Sequence, residues 1–259
     1  MAVGTLLASW SDRLFDLFFP PRCVGCGREG RFLCSSCVDR TPGIATPWCA
    51  KCGQHLAAGA SCQSCAAYPL SLEGIRSAYA YEPPLIEAIT QFKYHSVRAM
   101  GEEMGELLGR FLTLHPLAVD VIVPVPLHPT RRRERGYNQA ELLCVALGHR
   151  LGIPLAPDAL RRVRNTLPQA HMDSTEDRRL NVAGAFTPGV ESVDGKGVLL
   201  VDDVCTTGAT LSACGDALNA AGAAVVWGLT LARAERPAPR LEDPMHEEHP
   251  TSHGQTGVA

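Results

Sequence analysis

The order of apolar and polar positions divides the chain into four stretches. Residues 6–19 place Leu6, Trp10, Leu14, Leu17 and Phe18 near helical spacing, and Pro20 and Pro21 stop the run. This predicts an N-terminal amphipathic helix within residues 1–21. It is not basic, so packing against its own protein suits it better than a membrane surface. Residues 22–68 carry few large apolar side chains, and something other than a hydrophobic core must hold them. Across residues 71–235 strand-like and helix-like stretches alternate, the pattern of an α/β domain built on a parallel sheet. Residues 236–259 are rich in Pro, His and Glu without an apolar period and are expected to be a disordered tail.

Within the third stretch, residues 119–123 and 198–201 are short apolar runs, as expected of strands buried on both faces. Residues 224–231 read as a further strand. Between the last two, Leu211, Cys214, Leu218 and Ala221 mark the buried face of a helix, with Gly222 at its end. Another helix is expected to run to Leu151, with Asn138 and Gln139 at its start as caps.

Composition narrows the class. There are 24 Lys and Arg against 27 Asp and Glu, a net charge of −3, so any nucleic-acid surface must be a local patch. With 46% hydrophobic and 20% charged residues the chain is of globular type. It has no apolar run approaching about 18 residues, so no membrane span is expected. The first residues lack a basic segment and a small-residue cleavage site, which argues against a secretory signal and for a cytoplasmic protein.

Of 11 cysteines, eight form four C-x-x-C pairs: Cys23/Cys26, Cys34/Cys37, Cys49/Cys52 and Cys62/Cys65. Two such pairs complete a tetrahedral four-thiolate shell, so the spacing points to two structural zinc ions rather than disulfides. The spacings do not match ferredoxin runs. Gly27 and Gly53 follow the first and third pairs, where a positive φ aims backbone N–H groups at sulfur. Sequential sites are the simplest assignment, and a crossed arrangement stays open. Such a module can hold chains together or also touch nucleic acid.

The densest chemistry lies in Gly197-Val-Leu-Leu-Val-Asp-Asp-Val-Cys-Thr-Thr-Gly-Ala-Thr210. Asp202 and Asp203 stand at the carboxyl end of an expected strand, where α/β sheets bind ligands. Two adjacent carboxylates can accept hydrogen bonds from a vicinal diol. Thr206, Thr207, Gly208 and Thr210 then lead into a helix, whose amino end attracts phosphate. Together they suit a ribose 5-phosphate; there is no Walker loop. Arg131, Arg132, Arg133 and Arg135 could hold pyrophosphate or a nucleic-acid backbone, or be a solvated charge run. Residues 165–181 form a long polar connection of the kind that serves as a lid. Lys93 and Tyr94 are weaker candidates. His95, His128 and His171 are expected on surfaces or turns, and Cys205 as small-residue packing.

The 198–210 segment resembles the PRPP-binding motif of type I phosphoribosyltransferases (PRPP is phosphoribosyl pyrophosphate). The whole chain resembles the ComF family, of ComFC/GntX type. The resemblance also rests on Val123-Pro-Val-Pro-Leu-His-Pro129, Arg135-Gly-Tyr-Asn-Gln139 and the segment from Arg164 to Phe186. It implies a type I phosphoribosyltransferase-like sheet flanked by helices, preceded by a double zinc ribbon. Asp202 and Asp203 would hold the ribose, and Thr206, Thr207, Gly208, Ala209 and Thr210 the 5′-phosphate. Pro124, Val125, Pro126, Arg131 and Arg135 would meet pyrophosphate, with Pro124 and Pro126 open to cis bonds. Arg164, Gln169 and Arg178 would belong to the loop closing over PRPP, and Mg²⁺ would be held largely by PRPP itself. Family members are associated with natural transformation, which implies single-stranded DNA and a competence helicase or other DNA-processing protein as partners. Three readings follow: a phosphoribosyltransferase of unknown acceptor, a DNA-handling protein that binds PRPP, and a scaffold for partner binding.

Overall fold

The computed structural model describes residues 20–94, 97–167 and 174–234. The expected helix at 6–19, the tail at 236–259, and His95, Gln169 and His171 lie outside the described residues.

The central sheet is four-stranded and parallel. It contains β1 (Gly74–Ala80), β2 (Val121–Pro124), β5 (Gly197–Cys205) and β6 (Val225–Arg233), in the order β1-β6-β5-β2. Successive β5 side chains feed opposite layers, as a pleated strand requires. Leu199 and Val201 join one core, and Val198 and Leu200 the other. On the first face lie α3 (Leu85–Tyr94), α4 (Met100–Leu114) and α6 (Gln139–Leu151). Gly101, Gly105 and Gly109 let α4 press onto α6: a Cβ at Gly105 would come 2.4 Å from that of Ala146. On the other face lie α8 (Ala209–Ala220), α7 (Thr175–Val182) and a small antiparallel pair, β3 (Leu160–Arg162) with β4 (Phe186–Pro188). The short α5 (Pro129–Arg135) connects β2 to α6.

The apolar runs located the strands, but their ends moved. β2 begins two residues later than expected, and β5 continues past Val201 through the two aspartates. Backbone ladders do not depend on side-chain polarity, and Asp202 pairs Thr230 while Cys205 pairs Arg233 on β6. The helix before β6 has Leu211, Cys214 and Leu218 buried as expected, whereas Ala221 is half-buried at its C-cap.

The cysteine-rich segment contains α1 (Ser35–Val38) and α2 (Gln63–Ala67) and is built into the same body. Its first half sits on α4: Glu103 accepts the Phe32 and Leu33 N–H groups at 3.3 and 3.0 Å and pairs with Arg31 at 3.6 Å. Its second half lies along β1, where the Ile75 N–H donates to Lys51 O at 2.7 Å and the Ala80 N–H to Pro42 O at 2.8 Å. An edge strand that would otherwise expose unpaired amides is thereby covered.

Candidate functional site: a strand-end cleft and two four-cysteine clusters

The eight cysteines gather as two sequential groups, Cys23/Cys26/Cys34/Cys37 and Cys49/Cys52/Cys62/Cys65. In each, the four sulfurs lie within 4.8 Å of one another. The crossed arrangement is therefore excluded. Gly27 and Gly53 take φ of 73° and 72°, closing both knuckles. The Cys34 N–H reaches Cys23 Sγ at 3.4 Å. Burial raises the Cys23 thiol, and N–H groups of Cys34, Gly25 and Cys26 outweigh it, leaving a pKa of about 6. At Cys49 the amides of Cys52 and Lys51 likewise overcome burial, giving about 7. Burial dominates at Cys37, Cys52 and Cys65 and pushes their thiols up, so a cation is what would hold each set fully as thiolates. Soft sulfurs in two fours fit two structural zinc ions with no open coordination position.

At the carboxyl ends of β2, β5 and β6 opens a cleft of about 290 Å³. The whole 202–210 segment lines it. Asp203 is 7% exposed and Asp202 is half-buried. Asp202 also accepts the Asp203 N–H at 2.8 Å. Burial, then the charge of Asp203, raise the Asp202 carboxyl to about 7, although Lys93 pulls the other way. Lys93, at the end of α3, pairs with Asp203 at 2.9 Å. Burial works against its ammonium, but Asp203 and then Asp202 more than compensate, and its pKa rises. The weaker candidate of the sequence thus stands inside the site. Tyr94 stands at the rim, 68% exposed, with Arg135 5.3 Å over its ring.

Gly208 is the N-cap of α8 with φ 81°, a conformation that side chains resist. Space is also short there: a Cβ would lie 2.8 Å from Ile75 Cδ1. The Thr207 hydroxyl accepts the Ala209 N–H at 3.3 Å, orienting the turn. Such a loop can meet phosphate oxygens with backbone and hydroxyl donors, and two adjacent carboxylates can accept hydrogen bonds from a diol.

Cations also line the cleft. Arg131 donates to Thr166 O at 2.6 Å, and Arg162 to the Thr166 hydroxyl at 2.5 Å. Two guanidiniums converge on one buried threonine. Burial lowers the Arg162 pKa, and the like charge of Arg131 lowers it further. The Arg162 Nε is buried without a hydrogen-bond partner among the described residues. Converging cations with an unsatisfied donor suit an anion. Arg162 was not singled out from the sequence. Strand alternation carries its signal, since Arg161 is exposed and Arg162 is turned inward on β3.

The other expected anion ligands divide. Val125 and Arg135 line the cleft, while Pro124 is buried in β2 and Pro126 is not on the lining. The bonds before Pro124 and Pro126 are trans; the cis bonds precede Pro47 and Pro84. Arg132 and Arg133 face outward, Arg132 paired with Glu141 at 2.5 Å. His128 caps α5, accepting the Thr130 N–H at 3.3 Å. Asn138 caps α6 and also donates to Val125 O at 3.0 Å, tying that helix to the β2 loop. Gln139 is instead the first helical residue. Arg164 donates to Ala183 O and Arg178 stands on α7; neither lines the cleft.

Comparison with known proteins agrees with this geometry. A family model described as a double zinc ribbon domain matches residues 14–66, and one described as a phosphoribosyl transferase domain matches residues 131–255. Competence protein F of Haemophilus influenzae is 34% identical over 233 residues, 83% of this chain and 99% of that protein. The chain belongs to the ComF family. Competence protein ComFC of Bacillus subtilis is 31% identical, across 78% of this chain and 84% of its own length. The DNA utilization protein YhgH of Escherichia coli K12 is 32% identical, across 76% and 89%. Among solved structures, a glutamine PRPP amidotransferase from B. subtilis is similar at 20% identity and a TM-score of 0.38, over 54% of this chain and 30% of its own. No helix among the described residues is long and apolar enough to cross a membrane.

Proposed function

We propose that this ComF protein binds PRPP, with Mg²⁺ carried by the ligand, and acts in the cytoplasmic handling of incoming single-stranded DNA during natural transformation. One observation carries the ligand assignment. A carboxylate pair, a positive-φ glycine at a helix start and the Arg131–Arg162 pair share one cleft. These three parts suit ribose hydroxyls, 5′-phosphate and pyrophosphate respectively. The role in transformation is supported by the relatives named for competence and DNA utilization.

The same geometry supports a transferase reading with an acceptor still to be identified. Loss of pyrophosphate from the anomeric carbon passes through an oxocarbenium-like state. Carboxylates beside the sugar and arginines on the leaving anion stabilise its separating charges. Deoxyribose lacks the vicinal diol that Asp202 and Asp203 suit, so DNA is expected on a different surface, as acceptor or as cargo. A competence helicase or other DNA-processing protein is the partner this role calls for.

The test combines two assays on the zinc-loaded protein. Pyrophosphate release from PRPP·Mg²⁺ is followed with and without single-stranded DNA and nucleobases. DNA affinity is measured across salt concentrations. A steep salt slope that survives Asp202→Asn supports separate DNA and sugar sites. Absence of both PRPP and DNA binding would leave only the scaffold reading.

A further inference from the structure

Arg233, the last residue of β6, is a long cationic side chain only 3% exposed. Among the described residues it forms no ion pair with a carboxylate. Its Nη1 donates instead to Cys52 O at 2.7 Å and to Cys205 Sγ at 3.2 Å. Cys205 is the last residue of β5, from which the 206–208 turn leads to the Gly208 N-cap of α8. One guanidinium therefore joins a cysteine of the second cluster to the sulfur of Cys205, the residue at the root of the 205–210 loop.

A parallel connection runs through the backbone. The Ile75 N–H donates to Lys51 O, inside the Cys49/Cys52 knuckle, and the Ile75 side chain packs where a Gly208 Cβ would stand. The first cluster is held differently. It docks on α4 through Glu103, and its own arginine, Arg40, reaches Cys37 Sγ at 3.0 Å from an exposed position.

Electrostatics explains why a buried guanidinium is tolerated here. Four thiolates around a divalent ion carry a net charge of roughly −2, which supplies the counter-charge that Arg233 lacks elsewhere. We propose that Arg233 is a positioning residue that couples the second four-cysteine site to the 205–210 phosphate loop. Loading that site sets the loop's geometry, while the first site does not. This rests on the sugar-phosphate reading for its consequence in binding, but not for the coupling itself.

The experiment uses the full-length, zinc-loaded protein. Amide hydrogen exchange is followed at residues 205–210, with residues 198–201 as the report on global stability. Zinc content and ribose 5-phosphate affinity are measured on the same samples. Arg233→Met is expected to keep two zinc ions, to speed exchange in the loop about tenfold and to weaken ribose 5-phosphate by a similar factor. Arg233→Lys should recover part of both effects. Cys62→Ser, which disables the second site, should speed the loop similarly, while Arg40→Met at the first site leaves it unchanged. The coupling is overturned if Arg233→Met holds both ions and the loop exchanges as in wild type, or if residues 198–201 respond equally. Should Arg233→Met fail to fold, Cys62→Ser decides on the same two segments. A loop that responds in a protein that binds no ribose 5-phosphate would refute the ligand assignment and leave the coupling standing.

Discussion

Replacing Lys93 by methionine removes the cation facing two adjacent carboxylates. The Lys93–Asp203 pair is 2.9 Å long, with side-chain exposures of 22% and 10%. Breaking a buried pair from one side costs about 3–5 kcal/mol. The partial exposure of Lys93 places this case near 3 kcal/mol. The cost must depend on pH. Without the ammonium, the folded Asp202 carboxyl, already raised to about 7, rises further above its unfolded value of about 4. The folded variant then holds more protons than the unfolded chain, and its stability falls as pH rises through roughly 4 to 8. At pH 8 the full penalty of about 3 kcal/mol applies. At pH 5.5 Asp202 holds its proton in both proteins, so the cost is lower by about 1.4 kcal/mol for the one unit between 7 and 8, and about 2 kcal/mol remains. Urea denaturation of wild type and Lys93→Met at both pH values, with zinc present throughout, isolates this term. The difference between the proteins cancels the common pH response of the thiolate sites. Equal destabilisation at pH 5.5 and 8 would refute the electrostatic argument.

Three further outcomes follow. Asp202→Asn should weaken ribose 5-phosphate by about ten- to a hundredfold, the worth of a hydrogen bond to a charged group. Both proteins share the ligand phosphate's own ionisation at about pH 6, and in titration calorimetry wild type should show a further rise in affinity through about 7, where Asp202 ionises, that the variant lacks. Gly208→Ala should cost about 1–2 kcal/mol in urea unfolding for its positive φ and disturb phosphate binding, because its Cβ meets Ile75. Arg162→Leu should leave thermal stability unchanged or raised, since it removes a buried unsatisfied donor beside Arg131, yet lose affinity for pyrophosphate.

Much of the architecture was legible because its signals are local. Parallel strands buried on both faces are apolar runs, and paired C-x-x-C spacings constrain a thiolate shell by themselves. The 202–210 loop concentrates its chemistry in nine consecutive residues, so the sequence places it directly. What escaped depends on distant segments. Arg162 is one arginine in a run of basic residues, and only the pleat of β3 and the position of Thr166 select it. Lys93, only a weaker candidate in the sequence, gains its weight from Asp203, far along the chain, and Arg233 gains its meaning from Cys52 and Cys205 together. The expectations for Pro124 and Pro126 assigned a role to residue type. Pro124 is buried in β2 and Pro126 lies off the lining, which leaves Val125, Arg131, Arg135 and Arg162 on the cleft wall.

The central claim is that residues 202–210 and their facing cations receive a phosphorylated ribose. Titration calorimetry of PRPP·Mg²⁺ into intact, zinc-loaded protein measures this directly. The account predicts saturable, single-site heat that Asp202→Asn combined with Asp203→Asn eliminates while zinc content is retained. Heat absent from wild type at millimolar PRPP, or undiminished in the double variant, would contradict it.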